Sequence, residues 1–320
     1  MARPVLPTDL LALMSHNGRV YPNAAETRER LGASEASTFP LESAVERWLS
    51  FVTSRNAWIS ARHQRLQGLV STRRRGGHQA WEIDCLIDTT KALDAVTGLL
   101  DCATSEAGRS GAEKLFLRLA AESVLLPVVR KAGFQPYTLE VLYARQAPSA
   151  GSGHGALSGE FAPAPLRAFT PQDPYPAYRL YNSLAPESVR RHEAATFGEW
   201  HAAQERRWLK NGVHLVAERE GHLTAWLRAA SLPQGTLIDL LLEDGELAQV
   251  ESHIISASEA AGGHGPYLAL VPQCSVSLGR RLEEVGFEPQ AQFVSLVHRT
   301  AKPVKLPKLV PAIGKTAPVT

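Results

Sequence analysis

The chain has 320 residues, 44% of them hydrophobic and 21% charged, with a formal net charge of +2. That length and balance describe a globular protein of two ordinary domains, and a charge so near zero argues against a nucleic-acid or membrane partner. Cys85, Cys102 and Cys274 are far apart with no Cys-x-x-Cys pair, which excludes a disulfide framework and a zinc ribbon; with no signal-peptide core or membrane-length apolar run, the expected location is the cytoplasm.

In chain order, a short strand precedes Asp9, a plausible cap for a helix through Leu10–Leu13, and a second helix is expected over Leu41–Phe51. Strands follow at Ala57–Arg62, Leu66–Thr72 and Trp81–Ile87, the last after an Arg73-Arg74-Arg75-Gly-Gly-His78 turn. The turn reads as a solvated hairpin tip, because three arginines without interleaved aromatics are a poor nucleic-acid signal. Then come a helix (Leu93–Ala107), a strand (Leu115–Ala120), a helix (Val124–Lys131) and a strand (Leu139–Arg145).

Residues 147–165, APSAGSGHGALSGEFAPAP, have the composition of a flexible linker. Beyond it, helices are expected at Tyr175–Leu184 and Phe197–Leu209, and strands at Val213–Arg219, Leu223–Ala230 and Thr236–Leu242. A helix (Leu247–Ala260), a strand (Tyr267–Val271), a helix (Val276–Glu284) and a strand (Gln292–His298) complete the body, and 301–320 form a basic, Pro-rich tail. The expected domains are therefore 1–146 and 166–300.

Three landmarks recur in order in both halves. Arg3…Pro7…Asp9 answers Arg167…Pro171…Asp173; Ile83-Asp84 in WEIDCLI answers Ile238-Asp239 in TLIDLLL; Ala132-Gly133-Phe134 answers Val285-Gly286-Phe287. An antiparallel meander followed by αβαβ gives an α/β (α+β) layout: two tandem domains, each a mixed, largely antiparallel sheet with helices on both faces.

This layout, with the openings RPVLPTD and RAFTPQD and the helix ends VVRKAGFQP and GRRLEEVGFEP, resembles the GNAT superfamily of acyl-CoA N-acyltransferases; its tandem form looks like that of mycothiol synthases. The resemblance implies acetyl-CoA or another acyl-CoA as cofactor and a small-molecule amine as acceptor. It also implies a Gln/Arg-x-x-Gly-x-Gly/Ala turn, whose bare amides and helix N-terminus hold the pyrophosphate. Here the corresponding turns read Ile87-Asp-Thr-Thr-Lys-Ala-Leu93, without glycine, and Leu242-Glu-Asp-Gly-Glu-Leu247, with one. Asp88 and Asp244 read as helix caps whose carboxylates would occupy the anion site. The family's general-acid Tyr, four residues before the Gly of Gly-Phe, falls on Val129 and Leu282, and its Asn falls on Glu122 and Ser275. The pair therefore looks degenerate.

Asp84 and Asp239 stand in apolar strands where some family members place a general base, and Glu82 shares a face with Asp84. The structural alternative, a hydrogen-bonded aspartate at a sheet end, is the default for a strand carboxylate with no catalytic partner. The histidines have no metal-ligand spacing. Three functions compete: a GNAT-superfamily protein with altered or lost CoA use; a non-catalytic module binding a metabolite or a partner; and an aminoacyl-tRNA-dependent transferase, against which the near-neutral charge argues.

Overall fold

The computed structural model describes residues 2–5, 22–33, 56–62, 65–89, 93–147, 165–263 and 265–300. The helices expected at Leu10–Leu13 and Leu41–Phe51, nearly all of the 147–165 linker and the 301–320 tail lie outside the described residues.

In the first half, strands β1 (Ala2–Pro4), β2 (Asn56–Arg62), β3 (Arg65–Arg74) and β4 (Ala80–Asp88) lead to helix α1 (Asp94–Arg109), β5 (Lys114–Ala120), α2 (Leu126–Lys131) and β6 (Gln135–Arg145). The second half begins with β7 (Arg167–Ala168) and three helices, α3 (Pro174–Leu184), α4 (Glu187–Glu193) and α5 (Phe197–Ala203). It continues through β8 (Val213–Arg219), β9 (His222–Leu232), β10 (Gly235–Leu242), α6 (Val250–Ala260), β11 (Tyr267–Pro272), α7 (Val276–Glu284) and β12 (Glu288–Arg299). Among the described residues, no helix is long and apolar enough to cross a membrane.

The strands form one 12-stranded sheet in the order β1-β2-β3-β4-β5-β12-β6-β11-β10-β9-β8-β7. The two halves exchange their last strands. β12 lies antiparallel between β5 and β6, and β6 pairs antiparallel with β11. The order is symmetric about the β12–β6 pair, as a duplicated chain requires, and each half is completed by the other.

Alternation sorts the strand side chains. Leu115, Leu117 and Leu119 of β5 face α1, whose buried stripe Val96, Leu99, Leu100, Ala103 and Ala107 has helical spacing. In the second half Ile238, Leu240 and Leu242 of β10 face Val250, Ile254 and Ala257 of α6 and Leu278 and Leu282 of α7. The opposite face of the sheet is covered by α3 and α5, through an aromatic cluster that includes Tyr178, Trp200 and Trp226.

The recurrent landmarks have physical causes. Gly133 and Gly286 both close a helix with φ of +89° and +88°, a left-handed turn that favours glycine, and drop Phe134 and Phe287 into the two cores. Arg167 of β7 donates to both carboxylate oxygens of Asp173 at 2.8 and 2.9 Å, fixing the entry into α3. Those bonds, with further ones from Thr170, hold the Asp173 carboxyl down at about 2. The first-half counterpart, Asp9, lies outside the described residues.

Three expectations need correction. The Arg73–His78 turn is not a solvated tip: Arg73 is buried, and the amides of Gly76 and Gly77 donate to the Ala202 carbonyl at the end of α5 at 2.9 and 3.1 Å. A Cβ on Gly76 would stand 2.5 Å from the His201 carbonyl oxygen, so the turn is glycine because another backbone presses on it. Asp88 and Asp244 are not helix caps. Leu93 caps α1 at φ 47° with no side-chain bond, and Asp244 opens a 3-10 turn (Asp244–Gln249) that puts Gln249 at the cap of α6. The helix expected over Phe197–Leu209 stops at Ala203 and resumes as a 3-10 turn at Arg207–Leu209, because Glu205 is drawn into the interior.

Candidate functional site

In each half two parallel strands begin paired and then diverge. β4 and β5 pair from Ala80↔Lys114 to Glu82↔Phe116, and β10 and β11 from Thr236↔Tyr267 to Ile238↔Ala269; beyond these the ladders end. A splay leaves inward-facing backbone groups that need partners.

In the first half the chain itself supplies them. The segment from Pro22 to Thr27 crosses the gap: Ala24 N donates to Leu86 O of β4, and Glu26 N donates to Arg118 O of β5, each at 2.9 Å. Asn23 completes the bridge with its carboxamide, whose oxygen accepts from Leu86 N at 2.7 Å while its nitrogen donates to Asp84 O at 3.2 Å. Ala25 is fully buried in the first-half core. Asp84 is the extra residue of a bulge in β4, since Ser71 pairs Cys85 and Thr72 pairs Ile83. Its carboxylate is buried and accepts from Ser71 Oγ at 2.7 Å.

In the second half the splay opens onto a cavity of about 110 Å³ on the α3–α5 face of the sheet. Asp239, the first β10 residue beyond the pairing, stands at its vertex. Tyr181 of α3, Glu193 of α4 and Trp200 of α5 form the cover, and Cys274 and Ser275 line it just before α7.

Buried ions make the floor. Arg118 of β5 donates to Glu140 of β6 and to Glu205, each at 2.8 Å, and Ser295 of β12 also bonds Glu140. Arg28, in a 3-10 turn (Arg28–Arg30) next to the bridging segment, reaches Asp239 at 3.0 Å and Glu205 at 3.5 Å. Arg228 of β9 donates to Asp239 through Nε at 2.9 Å. Arg75 links Glu205, at 3.6 Å, to Glu82, at 3.0 Å, and Arg73 bonds the other oxygen of Glu82. Burial works to raise the Asp239 and Glu205 carboxyls, but the surrounding guanidiniums outweigh it and hold both below the usual carboxylate range, Glu205 well below. For Glu82 burial prevails over Arg73 and Arg75 and pushes the carboxyl up. Burial also raises Glu193, whose carboxylate accepts from Tyr181 Oη at 2.8 Å.

Several known structures are similar to this chain in fold. A GCN5-related N-acetyltransferase from Sphaerobacter thermophilus superposes with a TM-score of 0.55 at 14% identity, over 95% of this chain and 97% of that one. The chain has the GNAT fold. A putative acetyltransferase from Thermoplasma acidophilum aligns at 0.49 and 10% identity, over 93% of this chain and 99% of that one. A tandem GNAT protein from the clavulanic acid biosynthesis pathway aligns at 0.43 and 12% identity, over 95% and 99%. No family model and no curated protein matches the sequence.

On this GNAT fold the three carboxylates singled out in sequence part company. Glu82 and Asp239 belong to one network, joined through Arg75, Glu205 and Arg28. Asp84 lies at the bridged bulge, where its charge acts on Arg73, and of the three only Asp239 lines the cavity. An aspartate held ionised by two guanidiniums is a poor proton acceptor. Val129 and Leu282 are fully buried core residues.

Sequence reading missed Arg28, Arg118, Glu140, Glu193, Glu205 and Arg228. One signal was present: Arg228 in TAWLRAA and Asp239 in TLIDLLL are opposite charges equidistant from the Pro233-Gln234 turn, and they are direct register partners. Glu193 gave no signal, because α4 carries one buried apolar residue, Val189, and so no periodicity.

Proposed function

We propose that this chain is an N-acyltransferase-like protein of the GNAT superfamily that no longer depends on a nucleotide-bearing acyl donor, and that its second half keeps a binding site for a small molecule. The observation that carries this reading is the contrast between the splays: one is bridged by residues 22–27, the other opens onto a cavity. The first half then acts as a structural partner, and its Glu82 and Asp84 as structural carboxylates.

The residues present do not fit acyl-CoA in either half. In the first, the bridging segment holds the backbone groups of β4 that an extended ligand between the strands would need. In the second, the turn after β10 carries Glu246, which is 1% exposed and accepts from Arg219 at 2.6 Å and Thr224 at 3.0 Å, with His253 at 3.1 Å. This buried carboxylate, in the 3-10 turn ahead of the α6 cap at Gln249, fills the turn through which a phosphate would have to approach the helix amides. The acidic obstacle at that turn is thus Glu246.

The test is calorimetric titration of the full chain with acetyl-CoA. No binding up to millimolar concentration is expected; micromolar affinity overturns the proposal. One observation favours a second reading, acyl transfer to an amine in the second half: the cavity lies at the splay, with Glu193 on its wall as a proton acceptor that burial makes more basic. Thiol release from acetyl-CoA in the presence of small amines decides it, and no release removes it.

A further inference from the structure

Away from both splays, the Arg73–His78 turn meets a second basic stretch, and the meeting leaves one cation unmatched. Arg73 and Arg75 are engaged by Glu29, Glu82 and Glu205, and Arg74 stacks on Trp81. Past α5 the chain reads Gln204-Glu205-Arg206-Arg207. Glu205 turns inward to Arg118 and Arg28, so the arginine that follows it has no local counter-charge. Among the described residues Arg206 has no carboxylate partner; its Nη2 donates to His201 Nε2 at 2.7 Å. The other arginines whose values burial opposes, Arg28, Arg73, Arg75, Arg118 and Arg228, each bond a carboxylate. For Arg206 partial desolvation lowers the value, and no acid raises it.

The guanidinium is held in place. Its Nε stands 3.2 Å from where a Cβ on Gly76 would be, so a bare glycine is what admits it beside the turn. Its acceptor, His201, packs against Phe197 and must be neutral to take the bond; burial first, and then the Arg206 charge, lower its value accordingly. Arg206 and His201 are both exposed, so a ligand can reach them. Arg207 and Lys210, three residues apart on one side of the 3-10 turn, are exposed as well and have no carboxylate partner among the described residues. We propose that this junction of α5 with the Gly76–Gly77 turn binds the phosphate group of a small phosphorylated molecule, with Arg206 as its anchor. Neither Arg206 nor His201 lines the second-half cavity, so the two sites are separate. Charge selects the ligand: a phosphate monoester carries about −1.5 to −2 at neutral pH, more than a carboxylate, and gains most where several cations meet without an acid.

The probe is inorganic phosphate, titrated into the full chain at fixed ionic strength, with acetate as the reference anion and NMR signals as the readout. Phosphate is expected to shift the Gly76 and Gly77 amides and the His201 ring along one saturable curve, at about tenfold lower concentration than acetate. R206Q removes the charged donor and should weaken phosphate about tenfold while the fold is kept, because Arg206 lies at the surface. Equal curves for phosphate and acetate, or a drift without saturation, overturn the proposal on the wild-type chain without any variant. An unchanged phosphate curve in R206Q overturns it as well. Saturable shifts at Val250, which opens α6, in place of Gly76 would put the phosphate at the turn that Glu246 fills; that result sinks this site and the reading of that turn together.

Discussion

From β2 in the first half and from β8 in the second, this molecule runs the same elements in the same order, and it treats the same defect in opposite ways. A pair of parallel strands that parts company must satisfy the backbone it exposes. In the first half a loop of the chain lies across the gap as a local strand would, with Asn23 as its rivet. In the second the gap is left to ionised side chains and space. The difference does not come from the sheet, whose parallel pairing is equally short in both halves. It comes from residues 22–30, which fill one splay and then lend Arg28 to the other. A duplicated fold can thus close one site and furnish the second with a single segment.

The largest expected effect comes from removing what the two sites share. Arg118 bonds Glu140 and Glu205 in the buried network, and R118M leaves both carboxylates short of their main counter-charge. A loss of about 3–5 kcal/mol is expected in urea unfolding. It should appear as one transition, since β12 and β6 cross between the halves; two separated transitions would show that the halves are energetically independent. The next effect is confined to the first half. N23A removes the acceptor of Leu86 N and a donor to Asp84 O, at a cost of about 2 kcal/mol. Hydrogen exchange should accelerate at Leu86 and leave β10 unchanged, and acceleration in both halves would contradict a local bridge.

The fold was legible because its signals are periodic. Strands β8 and β10 and helix α7 lie where alternation and helical spacing put them, and the Gly-Phe pairs mark two turns that need positive φ. The site was legible only in part. Asp239 is conspicuous as a charge in an apolar strand, but its meaning depends on Arg28, 211 residues away, and on Glu205, which lies in a break that looked like continuous helix. The arginine run at 73–75 read as solvent-facing because nothing local reveals that Glu29, Glu82 and Glu205 converge on it. Long-range charge pairing leaves no period in a sequence.

A pH experiment sharpens the contrast from the second half alone. His214 of β8 packs edge-on against Phe169 and Trp226; burial first, and then Arg228, lower its value from 6.5 to about 4. Because the folded chain binds this proton less readily than the unfolded one, the contribution is whole above pH 6.5 and is lost as pH falls toward 4. His214 is partly exposed, so solvent screening reduces the effect to roughly 1–2 kcal/mol. Across that interval wild type should lose this much more stability than H214Q. Parallel stability curves for the two proteins would show that the wall behind Trp226 is wetter than the packing implies.

The smallest effect asks what holds α4, and with it Glu193, over the cavity. On the outer side Arg191 and Glu187 form an ion pair at 2.6 Å between side chains that are 69% and 73% exposed. Such a pair contributes at most about 0.5 kcal/mol and weakens with salt. On the inner side Val189 is buried, Arg190 donates to the Ala185 carbonyl at 3.1 Å, and Tyr181 bonds Glu193. If the inner contacts position the helix, R191A leaves both the unfolding midpoint and the rate at which a thiol reagent labels Cys274, on the cavity wall, within error of wild type. A faster labelling rate in R191A at unchanged global stability would mean that α4 opens locally and is held from outside, so that access to the second-half cavity would depend on ionic strength as access to the bridged splay could not.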